Sequence, residues 1–387
     1  MTIDPQIRAT AASLALVLSG GGARAAYQVG VLAALTEEFR DLDFPIFTGV
    51  SAGAINTLFL AAHRGPLAAA VARLREQWSR LTVEEVFRVR PFGLGRAAVR
   101  WLAQAAFGRA RSATALRGLL DPTPLRQFLA RHFDPGGVAH NVATGRLRAA
   151  ALTTTSFATG YTVTFVEGAP DVALWQRARR VAAAARLTID HVLASSAVPM
   201  IFPAVRIGDA FYGDGGVRQT APLAPAIHLG ARALLAIGMR TGRPAEPRPL
   251  ARDYPSAAET MGMVLHSILL DALDADAERL ARVNRLVAAL PPGTPTPDGL
   301  SLVRLLVLHP SRDLGDLALG HLRTLPRGLR LVVGNLGGER VQAADFLSYL
   351  LFEPQYIATL MELGYDDARA ARDRVARFLA PPAGDDG

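Results

Sequence analysis

The sequence predicts an α/β fold on a mainly parallel central sheet, and the pattern of its first two strand–helix pairs is the reason. Leu14-Ala15-Leu16-Val17-Leu18 is a short apolar run closed by Ser19 and three glycines, the pattern of a strand buried on both faces. Ala23 to Phe39 then has helical spacing, with Tyr27, Val31, Leu32 and Leu35 on one side. Phe44 to Val50 reads as a second strand and Ala52 to Ala62 as a second helix. Strand, helix, strand and helix in succession are the signature of parallel βαβ units.

The remaining elements follow from the same periodicities. Residues 67–133 read as almost wholly helical, with interruptions at Pro91, Gly93 and Gly95. Strands are expected at Leu147–Thr153, Tyr161–Val166, Val205–Tyr212 and Ala233–Ile237. A Pro- and Arg-rich stretch from Thr241 to Pro255 reads as a surface linker. Helices follow from Ser256 to Leu290, and Pro291–Pro297 is a second break. Leu302–Leu308 reads as one more strand before a helical tail that runs to Leu379. The expected organisation is one α/β domain over 13–240, with a helical insertion over 67–133, and a mostly helical extension over 256–380 that packs on it.

At 387 residues, half of them hydrophobic and a fifth charged, the chain has the composition of a large folded core. It contains no cysteine, which excludes disulfides and thiolate metal sites. The formal charge is +8, and all 42 basic residues are arginine. Guanidinium groups bind phosphate bidentately and suit lipid headgroups and nucleic acid alike, although a bias towards Arg and Ala codons yields the same composition. Met1 to Ala12 carries Asp4 before Arg8, and Leu14–Leu18 is too short for the apolar region of a signal peptide. No run approaches the roughly 20 apolar residues of a membrane span. The expectation is a cytoplasmic protein that touches a membrane, if at all, from the side.

Gly49-Val50-Ser51-Ala52-Gly53 fits G-x-S-x-G and lies between an expected strand and an expected helix. A serine on such a turn takes strained backbone angles and is lifted to the carboxyl edge of the sheet, beside the positive end of the helix. Read alone, the same five residues also make an ordinary tight βα turn. Gly20-Gly21-Gly22-Ala23-Arg24 joins the first strand to its helix, and the N–H groups of such a loop stabilise negative charge. In acyl transfer that charge is an oxyanion, and one lost donor costs about 3–4 kcal/mol. Gly20-x-Gly22-x-x-Ala25 also fits a dinucleotide fingerprint. That reading needs an acid at the end of the second strand, whereas Asp41 and Asp43 precede it and Val50-Ser51 occupies its end. A purely structural glycine turn is the third alternative.

Gly213-Asp214-Gly215-Gly216 follows the aromatic pair Phe211-Tyr212, and Asp-Gly-Gly on its own is a common turn. A conventional triad would place a histidine after the acid. His228 and His266 fall in apolar helical runs, His309 and His321 lie beyond the second break, and none stands in a glycine-flanked loop. An aspartate with a reference pKa of roughly 4 is a weak base for a serine unless its surroundings raise its proton affinity.

A glycine loop, a G-x-S-x-G elbow and an Asp-Gly-Gly turn about 160 residues later resemble the patatin-like phospholipases. The stretches from Gly20 to Leu32 and from Gly49 to Asn56 are similar to bacterial members, as is Ala194-Ser195-Ser196-Ala197-Val198-Pro199-Met200-Ile201-Phe202-Pro203. The resemblance covers residues 13–240. It implies a three-layer α/β/α sandwich with a helical C-terminal extension and a serine esterase that cleaves lipid esters without metal or cofactor. It implies Ser51 as nucleophile and Asp214 as proton acceptor, with oxyanion donors from Gly20, Gly21, Gly22 and Ala52. Arg24, Gly49, Gly53, Gly215 and Gly216 support the motifs. Ala25 stands where the family usually has glycine. Ser195 and Ser196 lack an elbow and are expected to serve packing. The tail segment Phe346-Leu347-Ser348-Tyr349-Leu350-Leu351-Phe352 is similar to tails of some relatives and is assigned no chemistry.

Arginines at 88, 90, 96, 100, 109, 111 and 117 alternate with Phe92, Leu94, Val99, Trp101, Leu102 and Phe107. A basic amphipathic segment of this kind suits a membrane-surface contact, a lid, or a solvated helical insertion. No nucleic-acid motif accompanies the charge, so the expected partner is a phospholipid or other lipid ester. A catalytically silent lipid-binding module and a nucleotide-binding protein using the Gly20–Ala25 loop remain the alternatives.

Overall fold

The computed structural model describes residues 13–89, 118–242, 257–291, 294–296, 299–321 and 344–380. Its strands are β1 (Leu14–Leu18), β2 (Ile46–Val50), β3 (Arg88–Val89), β4 (Leu120–Asp121), β5 (Ala149–Ser156), β6 (Thr162–Gly168), β7 (Gln176–Arg177), β8 (Arg180–Ala184), β9 (Val205–Ile207), β10 (Ala210–Asp214), β11 (Ala233–Ile237) and β12 (Arg304–Leu308). Helices α1 (Ala26–Glu38), α2 (Ala52–Ala62), α3 (Leu67–Arg80), α4 (Val83–Val86), α5 (Thr123–His132), α6 (Gly137–Ala143) and α7 (Ile189–Ser195) precede β9. The later helices are α8 (Ala224–His228), α9 (Ala257–Leu269), α10 (Asp271–Ala288), α11 (Leu314–Leu319), α12 (Ala344–Leu350), α13 (Pro354–Ala370) and α14 (Arg372–Leu379).

Ten strands form one sheet in the order β12-β11-β1-β2-β5-β6-β8-β7, with β10 and β9 added beside β5. The five strands from β12 to β5 are mutually parallel. Side-chain alternation divides the interior in two. Leu14, Leu16 and Leu18 enter a core beneath α1, α2 and α13, whereas Ala15 and Val17 enter a second core beneath α8 and α10. Helices on both faces of a largely parallel sheet are the expected α/β sandwich.

Helix α1 departs from the one-sided pattern expected of it, because every residue from Ala26 to Thr36 is buried. The sheet covers one side and α13 the other. Gly30 and Gly364 allow that second contact, since a Cβ on Gly30 would lie 1.9 Å from the Met361 carbonyl oxygen and one on Gly364 2.2 Å from that of Tyr27.

Strands β1 and β11 and helix α2 coincide with the expected spans, being apolar runs with clear stops on both sides. The strand expected at Leu147–Thr153 instead runs to Ser156. Its polar end is buried because Thr154 Oγ1 donates to the Val163 carbonyl and Thr155 Oγ1 to that of Asp214. The single strand expected over Val205–Tyr212 is a hairpin, broken at Gly208 with φ 57°. Within 67–133, the two-residue strands β3 and β4 pair with each other. Residues 90–117, which hold most of the basic amphipathic segment, lie outside the described residues, as does most of the expected linker over 241–255. Among the described residues no helix is long and apolar enough to cross a membrane.

Candidate active site

The register of the sheet brings two distant segments together. Strand β2 runs parallel to β5 as far as Val50, which pairs with Thr153. Strand β10 descends antiparallel along the same edge of β5 and ends at Asp214, which pairs with Thr154. One strand therefore stops where the other arrives, and Ser51 and Asp214 meet end to end.

Ser51 holds φ 54° and ψ −129°, a left-handed backbone that costs an ordinary residue about 1–3 kcal/mol. Glycines on both sides make the turn possible. A Cβ on Gly49 would lie 2.3 Å from Thr57 Oγ1, and one on Gly53 2.3 Å from the Leu18 carbonyl oxygen. A Cβ on Gly215 would lie 2.2 Å from the Thr153 carbonyl oxygen, so the turn after Asp214 is equally tight.

The segment after α7 fixes both arrivals. The Ser51 N–H donates to Ser195 Oγ at 2.9 Å, and Ser195 Oγ donates to the Thr153 carbonyl at 2.6 Å. Ser196 Oγ donates to the Ser51 carbonyl at 3.0 Å. The Asp214 N–H donates to the Ala197 carbonyl at 2.9 Å. Ser195 and Ser196, expected only to fill space, thus grip the strained serine on both its backbone groups. Their only sequence signal was two adjacent hydroxyls in a buried segment.

Asp214 is fully buried, and burial pushes its carboxyl up to about 7 against the opposing pull of the Ser51 hydroxyl and the Gly216 N–H. Gly216 N–H donates to Oδ1 at 2.8 Å. Oδ2 has no well-formed hydrogen bond among the described residues, although the Ser51 hydroxyl is near enough to perturb the group. That is an approach rather than a settled bond.

An apolar cavity opens on this point. Gly22, Ser51 and Ala52 line one end of it, while Ile55, Leu58 and Phe59 continue along α2. Leu125, Phe128, Leu129, His132 and Phe133 line it along α5, and Val192, Leu193 and Ser196 close the side towards α7. Of the glycine loop only Gly22 reaches the cavity, while the Gly21 carbonyl is taken by the Arg24 N–H at 3.1 Å.

The C-terminal segment left without a role supplies part of this site. Tyr349, Leu350 and Phe352 line the cavity, and Phe352 stacks on Trp78 at 6.3 Å. A Cβ on Gly22, whose φ is 57°, would lie 2.2 Å from the Tyr349 carbonyl oxygen. Arg24 is buried, donates from Nε to Ser348 Oγ at 2.7 Å and lies 4.3 Å from the Tyr349 ring centroid. Helix α12 and the residues after it therefore brace the glycine loop from outside.

A buried polar chain ties that loop to α2. Trp78 Nε1 donates to Asn56 Oδ1, Asn56 Nδ2 donates to Gln28 Oε1 and the Ala25 carbonyl, and Gln28 Nε2 donates to the Ser19 carbonyl. The methyl group of Ala25 is buried in the core beside this chain.

Three of the four histidines that follow Asp214 are occupied elsewhere. His228 stacks on Trp175 at 4.9 Å, His309 Nδ1 meets the Arg240 carbonyl, and His321 packs on Tyr356. Asp43 pairs with Arg146 at 3.1 Å, away from the end of β2.

The sheet thus presents a serine on a strained strand-to-helix turn at an apolar cavity. The family is definite. The model of the patatin-like phospholipase family matches residues 16–227, and the chain belongs to that family. The family is one of phospholipases. No curated protein matches the sequence. Among solved structures it is similar to VipD from Legionella pneumophila, at 12% identity over 94% of this chain and 67% of that one, with TM-score 0.39. It is also similar to human GIVD cytosolic phospholipase A2 in complex with a methyl γ-linolenyl fluorophosphonate inhibitor and terbium chloride, at 14% identity and TM-score 0.44. That alignment covers 96% of this chain and 59% of the human one, so this chain spans about three-fifths of the human enzyme's length.

Proposed function

We propose that the chain cleaves carboxylic esters of lipids through Ser51 and Asp214, by way of an acyl-enzyme. The observation that supports this most is the left-handed Ser51 facing an apolar cavity, with a fully buried Asp214 arriving beside it.

Ser51 Oγ attacks the ester carbonyl carbon and its proton passes to Asp214. The displaced carbonyl electron pair becomes an oxyanion, which N–H groups of the Gly20–Gly22 loop and of Ala52 stabilise at the positive end of α2. Collapse of the intermediate breaks the bond to the alcohol oxygen, which leaves with the proton from Asp214. Water then repeats the sequence against the acyl-enzyme and releases the fatty acid and the free serine.

A carboxyl group with a pKa of about 7 is matched to this task near neutral pH, because it both accepts and returns a proton. The cavity suits an acyl chain. Phe59 stands eight residues beyond Ser51 (59 − 51), about 12 Å along the helix at 1.5 Å per residue. With C–C bonds of about 1.5 Å in zigzag, that spans roughly ten carbons.

The test is labelling by a fluorophosphonate probe and turnover of a medium-chain p-nitrophenyl ester, by the protein and its Ser51→Ala variant. Both signals in the parent and neither in the variant are expected. A folded parent that neither labels nor turns over would sink the reading in favour of a silent lipid-binding module.

A further inference from the structure

The end of the sheet that carries Ser51 also carries an exposed apolar rim. Residues 157–161 connect β5 to β6 there, since β5 runs parallel to β2 and passes Ser51 at its C-terminal end. Phe157 is 56% exposed, Phe211 51% and Met200 75%. They are neighbours through the backbone and through the site. The Phe157 N–H donates to the Phe211 carbonyl at 2.9 Å, and the Phe157 ring packs over Gly213, which precedes Asp214. Met200 lies three residues beyond Ala197, whose carbonyl holds Asp214, and its own carbonyl accepts from the N–H of exposed Leu119.

Met200 also has φ 69°, a left-handed backbone on a residue other than glycine. Strain of this kind marks positions where the fold over-determines a side chain, and here the side chain so held points to solvent. Scattered surface hydrophobics need no explanation, but three large ones at the sheet end that carries Ser51 do, and Val198 and Ile201, on either side of Met200, line the cavity.

Arginines border the same rim. Strand β8 begins at Arg180 opposite Thr162, the first residue of β6, so the tip of the β7–β8 hairpin reaches the same end of the sheet. That tip carries Arg177 and Arg179, and the Arg179 carbonyl accepts from the Thr162 N–H. Arg218 reaches over Gly160, and its carbonyl accepts from Thr162 Oγ1. All three are exposed, and among the described residues none has a carboxylate within ion-pair distance. Among the described residues near this end, Asp209 stands beside Arg206 and the Asp121 carboxylate accepts from Thr123.

We infer that this rim is the surface by which the protein docks on an anionic lipid bilayer, with Met200, Phe157 and Phe211 entering the acyl boundary and Arg177, Arg179 and Arg218 meeting headgroup phosphates. Apolar tips surrounded by cations are the combination that binds such surfaces, and the charge complementarity selects the anionic leaflet. The geometry also gives the docking a purpose, because it places the end of the sheet that carries Ser51 against the phase in which a lipid ester is dissolved. The inference does not depend on the chemistry proposed for Ser51.

The test measures co-sedimentation of the Ser51→Ala protein with phosphatidylcholine vesicles, with and without phosphatidylglycerol. Ser51→Ala keeps the vesicles intact and leaves docking independent of turnover. Tighter binding to the phosphatidylglycerol vesicles is expected. Met200→Glu should weaken binding to these by about tenfold or more, from the lost burial of one large apolar side chain. Arg177→Gln with Arg179→Gln should weaken it roughly twenty-fivefold, at about fivefold per arginine, and leave any phosphatidylcholine binding unchanged. Melting temperatures check that the variants fold. In the Ser51-containing protein, turnover of a water-soluble short-chain ester should be unaffected by Met200→Glu. No preference for anionic vesicles, or binding that survives both sets of substitutions, would overturn the inference and move docking to another surface.

Discussion

Replacing Asp214 by Asn should abolish ester turnover and yet make the protein more stable above neutral pH. The carboxyl loses its solvation on folding, which raises its pKa from 3.8 to about 7. Between those values the folded chain keeps a proton that the unfolded chain has released, so stability falls as pH rises through the window. The contribution is present in full below roughly pH 4 and lost by the time the folded carboxyl ionises. About three pK units correspond to about 4 kcal/mol. Asn keeps the shape and the Oδ1 acceptor for the Gly216 N–H, and its Nδ2 takes the place of the oxygen that lacks a settled partner. It carries no ionisation, so the stability of Asp214→Asn relative to the parent should rise by about 4 kcal/mol from pH 4 to pH 8. With an unfolding entropy of about 2.1 cal/mol/K per residue, that is a shift of about 5 °C in Tm for a chain of this length. The assay is thermal unfolding of both proteins across this range, beside the pH profile of kcat/KM. The parent's kcat/KM should climb with a midpoint near 7, since only the ionised carboxylate accepts the serine proton. A stability difference that is flat with pH would refute the reasoning, because it would mean that Asp214 is ionised throughout.

Two further substitutions test how the site is held. Ser195→Ala removes the acceptor for the Ser51 N–H and the donor to the Thr153 carbonyl, and should cost about 1–3 kcal/mol of stability. Because those bonds set where the strained serine points, kcat should fall 10- to 100-fold with KM little changed, measured on a p-nitrophenyl ester; an equal loss in KM would indicate a general loosening instead. Phe59 borders both the apolar cavity and a polar pocket that contains His63, Arg64 and Arg73. Phe59→Ala should therefore move the preferred acyl length from about ten carbons upward by about three, the reach of the deleted ring, as read from a series of p-nitrophenyl esters. An unchanged optimum would show that Phe59 does not close the cavity.

Several features of this protein can be read from its sequence because they are local. An apolar run with a glycine stop is a strand wherever it occurs, so β1, β11 and α2 lie where their periodicity places them. The elbow is equally legible, since Gly49 and Gly53 answer contacts within a few residues of Ser51 or on the neighbouring strand. Asp214 is harder to read. Asp-Gly-Gly is a turn in many proteins, and only the antiparallel entry of β10 where β2 ends makes it the neighbour of Ser51. Its raised pKa belongs to the same class of fact, because desolvation depends on everything packed around a group and on nothing in its own pentapeptide. The hydroxyls of Ser195 and Ser196, and the bracing of the glycine loop by Ser348 and Tyr349, come from contacts spanning well over a hundred residues. The sequence by itself determined the α/β class, the family and the elbow, because periodicity, turn chemistry and close backbone approach act over short distances. Only the tertiary structure decided how Asp214, which the family resemblance picks out, arrives beside the serine, what holds the two in register and which apolar side chains stay outside, because burial and long-range hydrogen bonds exist only once the sheet has assembled.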